Sequence, residues 1–308
     1  MKSSVRVPRN IPTFPYCLEK VTDLSDDLRG LIGDAIDQEE IFEAIFVVPP
    51  EKYLSGWLTH HYLPEHALLF TPRGVIHVQG PLSKDQPGGV TYLSAENILF
   101  IKLTLCLLYA RLEIVGQGKD AATQIFIEYN NVCHHLLETP LRKLIQKTWG
   151  TATYASGGSQ DANQWSHVDQ LPIKFWNRLK RYALQQEESL LGFVFQPEVF
   201  KRQLGLFRRK IIPNTLLVVT DKQIFLIQEE LGSATAPYGW LFTFCPIEHI
   251  NRVEIMPYNE LQMLQIVLAR EKIQKTLRVL LENQAAQVWG ALYCQTYGSD
   301  HFFSCFDK

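Results

Sequence analysis

The sequence predicts an α+β fold: two small antiparallel β-barrels in tandem, each preceded by a helix and each capped by a C-terminal helix. Three observations predict it. The chain matches itself at a slowly drifting offset, which marks an internal duplication. Each copy contains seven short β-branched or aromatic runs separated by turn signals. Each copy then ends in a stretch of helical periodicity.

The duplication is read position by position. Leu31, Ala35 and Gln38-Glu39-Glu40 match Leu179, Ala183 and Gln186-Glu187-Glu188 at an offset of 148. Pro50-Glu51 matches Pro197-Glu198 at 147. Leu68 to Arg73 matches Leu217 to Lys222, and Gln79 matches Gln228, at 149. Glu96-Asn97-Ile98 matches Glu248-His249-Ile250 at 152, and Asn130 matches Asn283 at 153. Order is kept while the offset drifts, as small loop insertions would produce.

Strands are expected in the second copy at Leu190–Phe195, Thr215–Thr220, Ile224–Glu229, Trp240–Cys245, Ile250–Met256, Leu261–Ala269 and Thr276–Leu281. In the first they fall at Phe42–Val48, Ala67–Thr71, Val75–Gln79, Val90–Leu93, Ile98–Leu103, Arg111–Val115 and Ile125–Tyr129. Thr71-Pro72-Arg73-Gly74 and Thr220-Asp221-Lys222-Gln223 read as tight turns. Asn130 and Asn283 suit the N-caps of the closing helices, with Pro140 bending or shortening the first. A further helix precedes each set of strands, over Asp26–Glu40 and Ile173–Glu188.

Seven strands followed by one helix describe a curled sheet with a plugged mouth. The run Leu217 to Ile227, with its Thr220-Asp221-Lys222 turn, then Pro246 to Ile255 and a terminal helix, resembles the pleckstrin-homology-like superfold, particularly the bacterial PH and GRAM-like families. The resemblance covers about two-thirds of the chain and implies two PH-like barrels of a fold that often binds acidic headgroups. The sequence departs from that pattern after the first strand. Pro50-Glu51 and Pro197-Glu198 look like helix starts and Pro64 and Pro213 like stops, so an inserted helix is expected in each copy.

The implied domains are an N-terminal extension (1–25), a helix plus PH-like domain (26–147), a Gly/Ser/Asn-rich flexible linker (148–171), a second helix plus PH-like domain (172–297) and a C-terminal tail (298–308). A length of 308 residues agrees, at roughly 150 residues per domain.

Composition excludes several classes. With 46% hydrophobic and 20% charged residues, the chain is an ordinary globular one. A net charge of -2 gives no chain-wide field for nucleic acid, and no nucleic-acid partner is expected. Met1 to Arg6 lacks the apolar core of a signal peptide, and Ile98–Val115 is broken by Lys102, Arg111 and Glu113, so two buried strands are expected there and not a membrane span. The six cysteines form no Cys-x-x-Cys pair. A cytoplasmic location is expected, peripheral at the membrane if the protein binds lipid.

No catalytic signature is present: no Gly-x-Ser-x-Gly elbow, phosphate-binding glycine loop or His-Glu-x-x-His. The His60-His61 and His134-His135 pairs point their side chains apart on a helix, which argues against a metal. Cys133 beside His134 has no orienting acid, and the second copy carries Ala286 and Gln287 there. No enzyme activity, cofactor or metal is expected.

Charge is uneven along the chain. Nine basic and three acidic residues between Lys174 and Lys210 give a net +6, against -4 over Met1 to Pro50. In the second inserted helix Phe200, Leu204, Phe207 and Ile211 would share a stripe opposite Lys201, Arg202, Arg208, Arg209 and Lys210. Those five residues are the candidate site for anionic lipid headgroups, about 1 kcal/mol for each basic residue near the surface. A stripe packed on its own barrel with a solvated charged face is the alternative. The primary functional expectation is a non-catalytic adaptor, a protein-interaction scaffold with an unidentified protein partner, in which two tethered barrels raise effective concentration. Binding to an anionic membrane surface is the second. The acidic first helix is also expected to pair with the basic segment, within the chain or through self-association.

Overall fold

Short β-branched and aromatic runs, some buried on both faces and some alternating, decide most of the backbone. The computed structural model describes residues 13–33, 42–55, 59–82, 86–119, 121–149, 171–183, 188–203, 207–229, 239–298 and 302–304. The first half runs β1 (Tyr16–Leu18), α1 (Asp26–Ile32), β2 (Ala44–Val48), β3 (Glu51–Ser55), β4 (Thr59–Leu63), β5 (His66–Thr71), β6 (Gly74–Gln79) and β7 (Gly89–Ser94). It continues with β8 (Ile98–Cys106), β9 (Tyr109–Gln117), β10 (Ala122–Asn130) and α2 (His134–Lys147). The second half runs α3 (Ile173–Arg178), which continues as a π-helical turn over Leu179–Ala183, then β11 (Leu190–Gln196), β12 (Val199–Gln203), β13 (Phe207–Ile212), β14 (Thr215–Thr220), β15 (Gln223–Glu229) and β16 (Gly239–Pro246). After these come β17 (Ile250–Tyr258), β18 (Leu261–Arg270), β19 (Ile273–Leu281), α4 (Asn283–Tyr297) and β20 (Phe302–Ser304).

No sheet among the described residues closes into a barrel, and the expected pair of tandem PH-like barrels with capping helices is incorrect. One sheet has the order β1-β2-β5-β6-β7, one β10-β9-β8-β16-β15-β14-β11 and one β19-β18-β17-β20, with β3-β4 and β12-β13 as separate two-stranded ribbons. The reason lies at two strand edges. Unpaired backbone groups along β8 and β16 need partners. They find each other across the halves through six residue pairs, from Gly239↔Cys106 to Phe244↔Ile101. An edge satisfied in this way has no need to curl back on its own sheet.

The core follows the shared sheet. On one face Ile101, Leu103 and Leu105 of β8 lie with Phe242 and Phe244 of β16, Leu216 and Val218 of β14, and Phe225 of β15. Leu137, Leu141 and Leu144 of α2 and Phe175 of α3 cover that face, together with Phe46, Leu68 and Phe70 from the five-stranded sheet. The opposite face, with Leu217, Val219, Ile224 and Cys245, meets the four-stranded sheet and Trp289 and Tyr293 of α4. On the far side of the five-stranded sheet, Leu28 and Ile32 of α1 pack on Ile45, Val47 and Leu69. The largest core therefore belongs to both halves at once.

Local chemistry explains the element ends. Thr71 Oγ1 accepts hydrogen bonds from the backbone N–H of Arg73 (3.2 Å) and Gly74 (3.1 Å). Thr220 Oγ1 does the same for Lys222 (3.2 Å) and Gln223 (3.0 Å), so both turns are built alike. Asn130 Oδ1 caps the entry to α2 through Val132 N–H at 3.0 Å. At α4 the cap position is Glu282, one residue before the expected Asn283. Pro140 sits buried within α2 and the helix runs on to Lys147. Both terminal segments supply strands: β1 pairs with β2 and β20 lies parallel to β17.

The expected linker falls mainly on residues 150–170, outside the described residues. Its flanks, Trp149 and Leu171, are buried in the shared core. Of the expected helix over Asp26–Glu40, α1 accounts for Asp26–Ile32, and residues 34–41 lie outside the described residues. Among the described residues, Lys174 pairs with Glu229 and Arg181 with Glu138, and α1 packs on β6 and β7; the acidic Asp34, Asp37, Glu39 and Glu40 of the expected first helix lie outside the described residues.

Candidate functional site

The segment holding Lys201, Arg202, Arg208, Arg209 and Lys210 is a β-hairpin, not the expected amphipathic helix. Val199, Phe200, Phe207, Ile211 and Ile212 favour extended backbone, and Gly205 lies midway between them, where a helix is weakest. The expected helix after Pro50 is likewise the β3-β4 ribbon. The apolar spacings of four and three that suggested a helical stripe are spread over two strands instead.

The hairpin changes which charges meet. In its register Lys201 stands opposite Arg209, Arg202 opposite Arg208 and Phe200 opposite Lys210, with Ile211 the extra residue of a bulge. The backbone register therefore sets two like-charged residues opposite each other at two successive positions, an arrangement that disfavours the hairpin unless anions lie nearby. Two carboxylates offset part of it from outside the hairpin: Lys210 Nζ is 2.7 Å from Glu198 Oε2, and Lys201 Nζ is 3.2 Å from Glu260 Oε2. Arg209 is exposed and in no ion pair with a described residue. Phe200 is 47% exposed, with the Lys210 ammonium 6.0 Å from its ring centre. The corresponding β3-β4 ribbon carries one lysine and no arginine, so this cationic surface belongs to the second half alone.

Registers place the ribbon. Across the seven-stranded sheet, Cys106 pairs with Gly239, Trp240 with Glu229, Gln228 with Thr215 and Thr215 with Gln196. These residues mark one end of the sheet. The β12-β13 ribbon joins Gln196 to Thr215 and leaves from that end. So does the β8-β9 turn, Leu107-Leu108, which follows Cys106. Between β8 and β14 lie three strand spacings, about 14 Å.

That turn is unusual. Leu107 has a φ of 49° and is 63% exposed, and Leu108 is 66% exposed. A left-handed conformation costs an ordinary L-residue roughly 1–2 kcal/mol, and asparagine tolerates it best after glycine. In the second half the equivalent turn is Asn259-Glu260, with a φ of 55° at Asn259. Asn131 pins the leucine turn from beneath, its backbone N–H donating to Leu108 O and its Nδ2 to Leu107 O, both at 2.8 Å. The sequence reading missed this turn. The contrast of Leu107-Leu108 with Asn259-Glu260, at the same offset of 152 as neighbouring matches, was the available signal.

Two histidine pairings were not foreseen by that reading, which set His134 aside as one of an ordinary polar pair. His66 Nδ1 and His77 Nε2 are 2.9 Å apart, with the rings stacked at 5.2 Å. Burial lowers His66 to about 4 and His77 to about 3, and a charge on one opposes a charge on the other. A cleft partly open to solvent adjoins His66, with Glu51, Leu63, Phe126 and Glu128 in its wall. At the junction of the halves, Tyr129 Oη lies 2.9 Å from His134 Nδ1, while His134 Nε2 is buried without a hydrogen bond and 3.9 Å from Glu138 Oε1. Burial lowers His134 to about 4 and raises the neighbouring Tyr129 hydroxyl. Cys133, beside His134, is buried and its thiol is shifted up by burial, the opposite of what an activated nucleophile requires. Side chains of His60 and His61 lie outside the described residues. Among the described residues no group of three or more His, Cys, Asp or Glu could hold a metal ion, and no helix is long and apolar enough to cross a membrane.

No family model matches the chain, and no curated protein matches it in sequence. One solved structure to which it is similar is the hSac2 domain from human phosphoinositide phosphatase Sac2. It aligns over 47% of this chain and 90% of that one, at 13% identity and a TM-score of 0.27. A score that low carries no argument about fold or ligand.

Proposed function

We propose that this is a non-catalytic binding protein that docks on an anionic membrane surface through the β12-β13 ribbon. The observation behind the reading is the backbone register that sets Lys201 opposite Arg209 and Arg202 opposite Arg208. Repulsion between these pairs is relieved when phosphate or carboxylate groups of a headgroup layer settle over the ribbon, so binding and ribbon stability rise together. An exposed Phe200 beside the charges supplies the apolar contact that a headgroup layer accepts. The scaffold expectation drew on two independently tethered modules. With β16 hydrogen-bonded to β8 the halves move together, and the effective-concentration argument loses its premise.

Vesicle sedimentation tests the proposal. At low salt the protein is expected to pellet with phosphatidylserine-containing vesicles and not with pure phosphatidylcholine, and to lose that binding in part as salt rises. Replacing Arg208, Arg209 and Lys210 by glutamine removes about 3 kcal/mol of attraction, roughly a hundredfold in partition coefficient. Equal recovery from both vesicle types, or a triple variant that binds as well as the parent, rejects the membrane reading.

A further inference from the structure

The structure places an apolar turn at the same end of the seven-stranded sheet as the cationic ribbon. We infer that Leu107-Leu108 is a rigid wedge that enters the hydrocarbon border of the bilayer while the ribbon holds the headgroups. This inference rests on the membrane reading and adds the depth and geometry of contact.

Four observations carry it. First, both leucines are about two-thirds exposed, at 63% and 66%, and Val132 beside them is 60% exposed. Second, Leu107 holds a φ of 49°, a conformation that the other two described turns of this kind give to polar residues, Asn259 at 55° and Glu271 at 46°. A strained, exposed aliphatic turn is retained where the strain serves a contact made outside the chain. Third, the two 2.8 Å hydrogen bonds from Asn131 fix the turn's direction, so little order is lost on insertion. Fourth, the registers set the turn that follows β8 and the ribbon that precedes β14 at one end of one sheet, with three strand spacings, about 14 Å, between β8 and β14.

The neighbourhood suits a lipid surface better than a second protein. Other exposed apolar residues reach this end one at a time: Ile173, whose neighbour Lys174 pairs with Glu229 at the end of β15, and Phe200 on the ribbon. Single apolar tips set among charged groups, lysines paired with Glu198, Glu229 and Glu260 and an unpaired Arg209 among the described residues, do not make the continuous patch that a protein interface buries. They are the arrangement of a peripheral protein that combines shallow apolar insertion with attraction to anionic headgroups. Tyr109, 40% exposed and hydrogen-bonded to Glu128 at 2.7 Å, follows the leucines in the chain and adds an aromatic ring of the kind that favours a membrane interface.

The test uses the full chain and phosphatidylserine-containing vesicles. Leu107→Asn/Leu108→Glu installs the residues found in the other half. This variant is expected to bind the vesicles at low salt and to come off at high salt, where the parent stays partly bound, with at least about a tenfold difference in partition coefficient. Leu108→Trp is expected to be quenched by brominated-chain lipids well beyond the parental signal. Leu107→Asn alone, which relieves the backbone, is expected to unfold in urea at or above the parental midpoint, which separates loss of binding from loss of fold. Identical salt profiles for the parent and the double variant overturn the wedge and leave the ribbon proposal standing, as does Leu108→Trp bound to vesicles without quenching. A parent that binds no vesicles at any salt overturns both. A concentration-dependent dimer abolished by the double variant, with vesicle binding unchanged, assigns the turn to a second copy of the chain and also overturns the wedge.

Discussion

Phe242→Ala is expected to destabilise both halves together, by about 3–5 kcal/mol. Phe242 is fully buried on β16 and stands opposite Leu103 of β8 on one side and Ile227 of β15 on the other. Its ring also meets Tyr182, with centroids 4.5 Å apart. Truncation empties a site walled by residues 103, 182, 225 and 227, drawn from both halves, and no single element can collapse to fill it. Guanidinium unfolding followed by tryptophan fluorescence and by far-ultraviolet circular dichroism should give one coincident transition for the parent and one, at lower denaturant, for the variant. Two separate transitions, only one of which moves, would show the halves to be independent units and sink the shared-core account.

The second large effect is with acid. Burial lowers His66, His134 and His249 to about 4 and His77 to about 3, against an ordinary value of 6.5. Folded-state values below the unfolded ones mean that the unfolded chain takes up protons first as pH falls. Stability contributed by keeping these rings neutral is therefore complete above about pH 6.5 and is lost as pH drops from there toward 4. Each ring contributes a slope approaching about 1.4 kcal/mol per pH unit, and four acting together remove several kcal/mol by about pH 5. Urea unfolding at a series of pH values measures this directly. His77→Gln should lower the slope by about one proton's worth while keeping a hydrogen-bonding side chain beside His66. A stability that stays flat between neutral pH and pH 5 would contradict the burial argument.

Several parts of the fold were legible because they are set by near neighbours. Ile98–Val115 reads as two strands because Lys102, Arg111 and Glu113 interrupt any membrane span, and β8 and β9 lie there. Thr71 and Thr220 announce turns that their own hydroxyls build. Asn130 announces the entry to α2. The ribbons misled for an equally local reason: Phe200, Leu204, Phe207 and Ile211 satisfy helical spacing, while the same residues also suit two strands folded about Gly205. Cross-strand pairing decided between the two, and the sequence alone does not display it. The five basic residues of the ribbon were found by charge counting, but the opposition of Lys201 with Arg209 exists only in the hairpin register. His77 was passed over because its partner, His66, is brought to it by the β5-β6 pairing.

The closure of each half into its own barrel was the largest error, and it turns on strand edges. A strand's alternation shows that it has an apolar face; it carries no label for the strand that will satisfy its edge. Sequence by itself determined where most strands and turns lie, that the element order of the first half recurs in the second, and where positive charge concentrates, because those depend on side chains a few positions apart. Tertiary structure alone decided that β8 joins β16, that one core serves both halves, and that an apolar turn and a basic ribbon share one end of a sheet. Backbone hydrogen bonds between distant strands are nearly indifferent to residue type, so the choice of partner was made by how the apolar faces packed once the whole chain had come together.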